Sequence, residues 1–272
     1  MKLAIIVSRP PWSSIDRFYL RCIEEGFSPC AILTVSEHGR RTSVVKRMLR
    51  KHGPLGVWPR LAALAWYRLY TRRIRRLQDR HFSPLAGVYS PGVPLVDVEC
   101  LQSAAFLGWM DRERPDVVIP IAGGIIRPEL LARSRWIRWH HGITPDIRGL
   151  ASPYWAIYAQ RPAWLGVTIQ ELVEKLDAGP ILAQERLTPT RGEDLASTYL
   201  KLDLLALELL LRVLGQFRDG RLVPTSCDPS RGEYRSLPTL ASLIRFPFRA
   251  RGFFREFGGD GTPHPRTTGP AG

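Results

Sequence analysis

A pair of histidines closes a short apolar stretch and is followed at once by a glycine, a pattern typical of a strand that runs into a loop. The segment reads Arg138-Trp139-His140-His141-Gly142. Because side chains alternate along a strand, Arg138 and His140 are predicted to lie on one face and His141 on the other. An imidazole gains or loses a proton near neutral pH. His140 is therefore a candidate acid–base residue, although a single histidine is more often structural.

An acidic residue occupies the turn Leu176-Asp177-Ala178-Gly179-Pro180. This turn lies between two apolar, β-branched stretches, 166–172 and 181–187, which are predicted to be strands. Asp177 could cap the turn through its own side chain. Alternatively, its carboxylate could fix the tautomer of a neighbouring imidazole and stabilise the imidazolium. The separation in sequence leaves both interpretations open.

The elements that must position these residues form a β–α–β pattern. Parallel sheets of this kind bind ligands beyond the carboxyl ends of their strands, where His140 is predicted to lie. No GxGxxG follows the first strand, so a dinucleotide site is not supported. The predicted strands are 3–7, 29–35, 95–98, 116–121 and 136–140, and the predicted helices include 15–25, 101–114 and 194–218.

The segment 40–80 carries most of the net charge of +14, with thirteen lysines and arginines and a single acid, Asp79. We expect a basic helical insertion here. A solvated helix packed on the domain is favoured over a helix that lies on a membrane surface, because a basic amphipathic pattern alone is weakly diagnostic. The predicted apolar stripe is Trp58, Leu61, Leu64, Trp66, Leu69 and Ile74, and the charged face is Arg68, Arg72, Arg73, Arg75 and Arg76.

The remaining composition indicates a protein of a reducing compartment. The four cysteines are scattered without paired spacing, so neither a disulfide framework nor a metal site is expected. The first apolar run is too short for a signal peptide, and no run approaches the ~20 residues of a membrane span. We therefore expect a cytoplasmic protein. After Gly220 turn-forming residues dominate, which predicts an irregular C-terminal region with a disordered end.

Several ordered motifs resemble those of the formyltransferase family, which includes the glycinamide ribonucleotide, methionyl-tRNA and sugar N-formyltransferases. The similar stretch covers about 95–200, and several motifs in order are more specific than any one alone. The motifs are Pro115-Asp116-Val117-Val118, Gly123-Gly124-Ile125-Ile126-Arg127-Pro128, His140, Pro145, Arg148-Gly149, Trp155-Ala156, Gly166-Val167-Thr168 and Leu176-Asp177-Ala178-Gly179-Pro180-Ile181.

The resemblance implies a Rossmann-like formyltransferase fold, α/β with a mostly parallel sheet flanked by helices. It divides the chain into a catalytic domain, 1–220, and a C-terminal extension, 221–272. It also implies 10-formyltetrahydrofolate as co-substrate and no metal. The folate would lie against the backbone of Ile125, Ile126 and Arg127, and against the turn that holds Asp177 and Gly179.

In the family, an Asn-x-His pair supplies oxyanion donors and an aspartate holds the histidine. His140 and Asp177 match that pattern, and Arg138 stands where the asparagine is usual. Loss of one oxyanion donor typically costs about 10²–10³ in rate. An arginine also has donors and a fixed charge, so Arg138 could stabilise the oxyanion, bind an acidic substrate or lower the pKa of His140. A chain that binds folate or amine without turnover is a further alternative.

The implied partner is a small-molecule amine, either an aminosugar nucleotide or a secondary-metabolite amine, which can carry phosphate. The residues after Gly220 are few and lack the strand pattern of the second domain of the tRNA enzyme, so nucleic acid is disfavoured. The loop after the first strand lacks the glycines expected of the purine enzyme. A formyltetrahydrofolate hydrolase, a methionyl-tRNA formyltransferase-like enzyme, a homodimer and peripheral membrane contact remain open.

Overall fold

The computed structural model describes residues 1–8, 13–27, 29–35, 41–82, 95–121, 126–175 and 177–260. Its centre is a seven-stranded sheet in the order β3-β2-β1-β4-β5-β7-β8. The first five strands in this order are parallel, and β7 and β8 are each antiparallel to their neighbour. The predicted fold class, a mostly parallel sheet flanked by helices, is confirmed. The strands are β1 (Leu3–Ser8), β2 (Pro29–Val35), β3 (Leu95–Val98), β4 (Val117–Pro120), β5 (Arg135–His140), β7 (Gly166–Glu171) and β8 (Ile181–Arg186).

The helices begin where the sequence offers caps. At the start of α3, the Ser103 side chain accepts a hydrogen bond from the backbone N–H of Phe106. At the start of α6, Asp194 and Ser197 form a reciprocal capping box. The helices are α1 (Ser13–Glu24), α2 (Arg41–Phe82), α3 (Ala104–Glu113), α4 (Pro128–Leu131), α5 (Ser152–Tyr158), α6 (Leu195–Arg218) and α7 (Leu240–Phe257), with a 3₁₀ turn at Pro162–Trp164.

Alternation along the apolar strands supplies both faces of the sheet with core residues. Ile5 and Ile119 face a core shared with α1 and α6, whereas Ile6 and Val118 face a core shared with α3. A third apolar cluster joins α2, α5 and α7, with Tyr154 at its centre. The carboxyl ends of the parallel strands are thus rigidly placed, which is where His140 lies.

The loop after β5 is more ordered than its sequence suggests. The segment predicted as a loop, 142–152, contains a short strand, β6 (Ile147–Gly149), which pairs with β9 (Glu233–Arg235). The paired residues are more than eighty positions apart in sequence, so the local pattern of neither segment predicts the pairing. It ties the C-terminal part of the chain to the candidate site.

The prediction of an irregular region after Gly220 is wrong for Leu240–Phe257, which form the helix α7. Pro247 and Gly252 lower the apparent helix propensity of this segment. Tertiary packing outweighs that propensity, because Phe246 and Phe253 are buried against α2 and α5.

The basic insertion is helical, as predicted, with a kink at Gly53. Its predicted apolar stripe is only partly right. Trp66 and Ile74 pack inward, but Trp58 and Leu69 are exposed, and Tyr67 and Tyr70 take part in the buried contacts instead. Within the described ranges, no helix is both long enough and apolar enough to cross a bilayer.

Candidate active site

His140 lies at the last position of β5, at the carboxyl edge of the parallel sheet. Its Nδ1 atom is 3.8 Å from Oδ2 of Asp177, and its Nε2 atom is 3.1 Å from Oγ of Ser152 and 3.2 Å from the carbonyl oxygen of Ile147. A charged ring donates from Nε2 to Ile147 and faces the carboxylate with Nδ1. A neutral ring with its proton on Nδ1 accepts from the Ser152 hydroxyl. The surroundings therefore suit both protonation states.

Asp177 is buried and its two carboxylate oxygens are separately held. Oδ2 accepts a hydrogen bond from the backbone N–H of Gly149 at 3.0 Å, and Oδ1 accepts one from Nε2 of Gln170 at 3.2 Å. The backbone of Asp177 has a positive φ of 49°, a conformation that aspartate tolerates in turns. Of the two interpretations of Asp177, the structure supports the one in which the carboxylate lies beside the histidine.

Gly149 is the point at which the loop after β5 reaches the carboxylate. Its φ is +98°, and a Cβ atom added there would lie 2.1 Å from the carbonyl oxygen of Arg235. Only glycine combines that conformation with so close an approach. The preceding Arg148 is buried and donates to the carbonyl oxygen of Pro229 at 2.8 Å. The Arg-Gly motif thus fixes the loop rather than facing a ligand.

A buried polar network holds the start of the same loop. The hydroxyl of Thr168 donates to the carbonyl oxygen of Gly142 and accepts from the backbone N–H of Thr144. The amide of Gln184 donates to Thr168 and to the carbonyl oxygen of Thr144. The Gly-Val-Thr motif on β7 therefore positions the backbone that follows His140.

Burial is the main cause that lowers the pKa of His140 below its ordinary value of 6.5. The carboxylate of Asp177 opposes this effect, and the charges of His141 and Arg138 add to it. The guanidinium of Arg138 is exposed at the rim, on the same strand as His140. Its predicted influence on the histidine thus has an electrostatic basis in the structure.

A cavity of about 240 Å³ opens beside this pair. Three of its lining residues, Arg138, His140 and Ser152, come from the site itself. Tyr67 of α2 and Tyr199 of α6 also line it, so the basic insertion contributes a wall to the candidate site. Burial raises the pKa of each of these tyrosines above its ordinary value of 10, which keeps them neutral hydroxyls.

A second histidine–carboxylate pair, which was not predicted from the sequence, involves His141, another lining residue of the cavity. His141 Nε2 lies 3.1 Å from Oδ1 of Asp203 on α6, although the ring N–H is not aligned for a hydrogen bond. The amide of Gln78, on α2, donates to the other carboxylate oxygen of Asp203. Tyr199 packs edge-on against the His141 ring. As predicted from strand alternation, His141 faces away from His140.

The residues predicted to contact folate are only partly described. Ile125 lies outside the described residues. Ile126 is buried in the same apolar cluster as Trp136, against which Leu172 packs. Arg127 is exposed and extended, just before α4. A Cβ on Gly179 would lie 1.8 Å from the carbonyl oxygen of Glu171, so this glycine is required by hairpin packing.

The fold and the site together define an α/β protein with a buried histidine–carboxylate pair at the carboxyl edge of its sheet. Residues 95–214, which contain that pair, match the family described as Formyl transferase. This segment of the chain is thus similar to the formyl transferases. Methionyl-tRNA formyltransferase of Listeria innocua is 28% identical over 172 residues, which are 62% of this chain and 55% of that protein. The chain thus spans about half the length of the curated relatives it matches.

Solved structures share the fold at low identity. A sugar N-formyltransferase from a Shewanella species superposes with a TM-score of 0.54 at 15% identity, covering 87% of this chain and 77% of that one. HypX from Aquifex aeolicus, solved in complex with tetrahydrofolic acid, gives a TM-score of 0.51 at 19% identity, with 87% and 29% covered. These likenesses establish the formyltransferase fold.

Proposed function

We propose that this protein transfers a formyl group from 10-formyltetrahydrofolate to the amine of a small molecule. The observation that carries the proposal is the approach of His140 to Asp177, at 3.8 Å, inside the segment that matches the family. A buried carboxylate beside an imidazole at a sheet edge is the arrangement that acid–base transfer needs. The match of residues 95–214 to the formyl transferases supports 10-formyltetrahydrofolate as the donor, as does the tetrahydrofolic acid bound to a protein of this fold.

In this proposal, His140 interacts with the reacting groups and Asp177 supports the His140 ring. The amine attacks the formyl carbon, a C–N bond forms, and the carbonyl oxygen becomes an oxyanion. An N–H of the His140 ring donates a hydrogen bond to that oxyanion, and Asp177 orients the ring and supports any positive charge that develops on it. The amine proton then passes to the folate nitrogen as its C–N bond breaks. Desolvation lowers the pKa of His140, so the ring gives up its proton readily.

Arg138 takes the place of the second oxyanion donor in the proposal. It lines the cavity from the same strand as His140, and a guanidinium donates hydrogen bonds as well as charge. Its exposed position also suits an acceptor with a negatively charged group. In either role, Arg138 would contribute to the site at the position where the family resemblance predicts an asparagine.

The acceptor is proposed to enter the cavity between Tyr67 and Tyr199. Aromatic walls with a few polar groups are typical of small-molecule sites, and a sugar N-formyltransferase is among the proteins of this fold. An aminosugar nucleotide or a similar amine, with or without phosphate, fits this description. The folate is proposed to lie toward Ile126, Arg127 and the Asp177 turn, because Ile126 shares an apolar cluster with Leu172, five residues before Asp177.

The test is an assay of the purified chain with 10-formyltetrahydrofolate and a panel of amines that includes nucleotide-linked aminosugars. We expect tetrahydrofolate to appear only when a suitable amine is present, together with the N-formyl product by mass spectrometry. His140→Asn should abolish this reaction. Arg112→Ala serves as a matched control, because it removes an exposed arginine on α3 that does not line the cavity.

Hydrolysis of the formyl donor is a second candidate, and it is favoured by the presence of Arg138 rather than an amide at the oxyanion position. Water would then attack the formyl carbon, and formate would be released without any amine. Formate release that is independent of amine and is lost in Asp177→Asn would replace the transfer proposal with hydrolysis. Folate binding without loss of the formyl group would reject both.

A further inference from the structure

Helix α7 has apolar side chains on two faces, and only one of them is covered. Leu243 and Phe253 are buried against α2 and α5. On the other side, Leu240, Ile244 and Phe248 follow one another at intervals of four residues, so they form one stripe on the helix. Ile244 is 67% exposed and Phe248 is 79% exposed. Large apolar side chains at such exposure in regular succession indicate a surface that meets an apolar partner.

Arginines border this stripe. Arg251 and Arg255 continue it at helical spacing after Phe248, and Arg245 flanks it. All three are exposed, and within the described part of the chain none forms an ion pair. The helix contains a single acid, Glu256. The stripe is thus apolar at its centre and strongly cationic around it.

The cationic character extends beyond α7. Arg251 and Arg255 line a cleft of about 540 Å³ together with Arg73 of α2 and Arg191, and these four arginines outnumber its two carboxylates, Glu193 and Asp194. Arg73 is held by an ion pair with Asp194 at 2.7 Å, so the cleft contains fixed as well as unpaired guanidinium groups. A guanidinium fork matches the geometry of a phosphate group. An arginine-lined cleft beside an apolar stripe therefore suits a phosphate joined to a hydrocarbon chain.

We propose that α7 docks this protein onto the surface of an anionic phospholipid bilayer. Ile244 and Phe248 would insert at the level of the acyl chains, while Arg251 and Arg255 would reach the headgroup phosphates. An interfacial amphipathic helix binds a membrane in this way, with its apolar face inserted and its basic residues at the headgroups. The charge complementarity favours anionic lipid over a second copy of this basic chain. The exposed Phe248 and Ile244 favour lipid over RNA, whose backbone offers them no apolar contact. The proposal does not depend on formyl transfer.

The test is co-sedimentation of the full chain with vesicles of phosphatidylcholine alone or of phosphatidylcholine with phosphatidylglycerol. We expect the protein to pellet with the anionic vesicles, to remain largely in solution with the neutral ones, and to be released as salt rises. In the double variant Ile244→Asp/Phe248→Asp, affinity for anionic vesicles should fall at least about a hundredfold, since burial of each side chain contributes at least about tenfold. Arg251→Gln and Arg255→Gln should each lower it roughly fivefold.

Val223→Asp is the matched control, because Val223 is 81% exposed and lies outside α7. It should bind vesicles like the parent chain. Circular dichroism and thermal unfolding establish that each variant is folded. Ile244→Ser/Phe248→Ser provides a second, uncharged test of the stripe, with the same direction of change. An unchanged affinity in both stripe variants would overturn the proposal.

Two further outcomes would also overturn it. The first is RNA binding that depends on Arg251 and Arg255 but not on Phe248, in the absence of vesicle binding. The second is a dimer, measured by analytical ultracentrifugation, that dissociates in the stripe variants while the parent chain fails to bind vesicles. In either case the surface belongs to a different partner.

Discussion

Two consecutive histidines meet two carboxylates on opposite sides of one strand, and the two pairs differ in what holds them. His140 and Asp177 belong to the sheet edge, and the carboxylate is fixed by Gly149 and Gln170. His141 meets Asp203, which is fixed by Gln78 of the basic insertion. The first pair is held by the fold's central sheet, whereas the second joins the sheet to an added helix. The difference suggests that the first pair carries the chemistry and the second anchors α2 beside it.

The largest effect that the comparison predicts is on the rate of the Asp177→Asn variant. An asparagine keeps an acceptor for the Gly149 N–H but loses the charge that supports the imidazolium. We expect formyl transfer to fall about 10²–10⁴-fold, the usual range for acid–base catalysis, with little change in thermal stability. Single-turnover kinetics with the accepted amine measure this. Intact transfer in a folded Asp177→Asn protein would show that the assigned pair is wrong.

Asp203→Ala should show the reverse pattern. It leaves the buried amide of Gln78 without its acceptor, which typically costs about 1–3 kcal/mol, and it frees His141 from its carboxylate. We expect the free energy of unfolding to fall by that amount while the rate of transfer stays within about tenfold of the parent. Urea unfolding and the same kinetic assay provide the two readouts. A loss of rate equal to that of Asp177→Asn would erase the distinction between the pairs.

The lowered pKa of His140 predicts how the free energy of unfolding depends on pH. Burial lowers the pKa of His140 below its ordinary value of 6.5, so the unfolded chain binds a proton at this residue more readily than the folded one. The free energy of unfolding should therefore fall as pH drops through about 6.5 toward the lowered pKa, and be unaffected by His140 above that range. Urea unfolding between about pH 8 and pH 5 tests this.

His140→Gln removes the titrating group, and its stability should vary less with pH in this window. His141→Gln is the matched comparison on the adjacent residue, because it keeps the His140 ring and removes only a smaller contribution to its lowered pKa, so most of the pH dependence should remain. Equal slopes in the parent chain and in His140→Gln would contradict the assigned direction of the pKa shift. The charges that act on the His140 ring are those of Asp177, His141 and Arg138. All three are retained in the parent chain and in His140→Gln, so the two proteins differ only in the titrating ring.

The sequence predicts the first pair better than the second for a physical reason. Strand alternation and the position of a strand end are local, so His140 could be assigned to the sheet edge, and the turn motif supplied Asp177. Asp203 lies in the middle of a leucine-rich helix, where nothing local distinguishes it from a solvated charge. Its partners, His141 and Gln78, reach it only through the packing of α2 and α6. Long-range packing of this kind also concealed α7 and the pairing of β6 with β9.

The smallest predicted effect concerns Arg138, which faces the first pair and not the second. Its positive charge helps to lower the pKa of His140, so Arg138→Asn should raise that pKa modestly, whatever it does to transfer. Arg138→Lys keeps the charge and should leave the pKa close to that of the parent chain. NMR titration of the His140 ring signals in the three proteins measures the difference.

A pKa of His140 that falls in Arg138→Asn, or that changes equally in both variants, would contradict the electrostatic link between Arg138 and His140. A rise confined to Arg138→Asn would show that the arginine tunes the acid–base pair through its charge, and any further change in rate could then be assigned to oxyanion or acceptor binding.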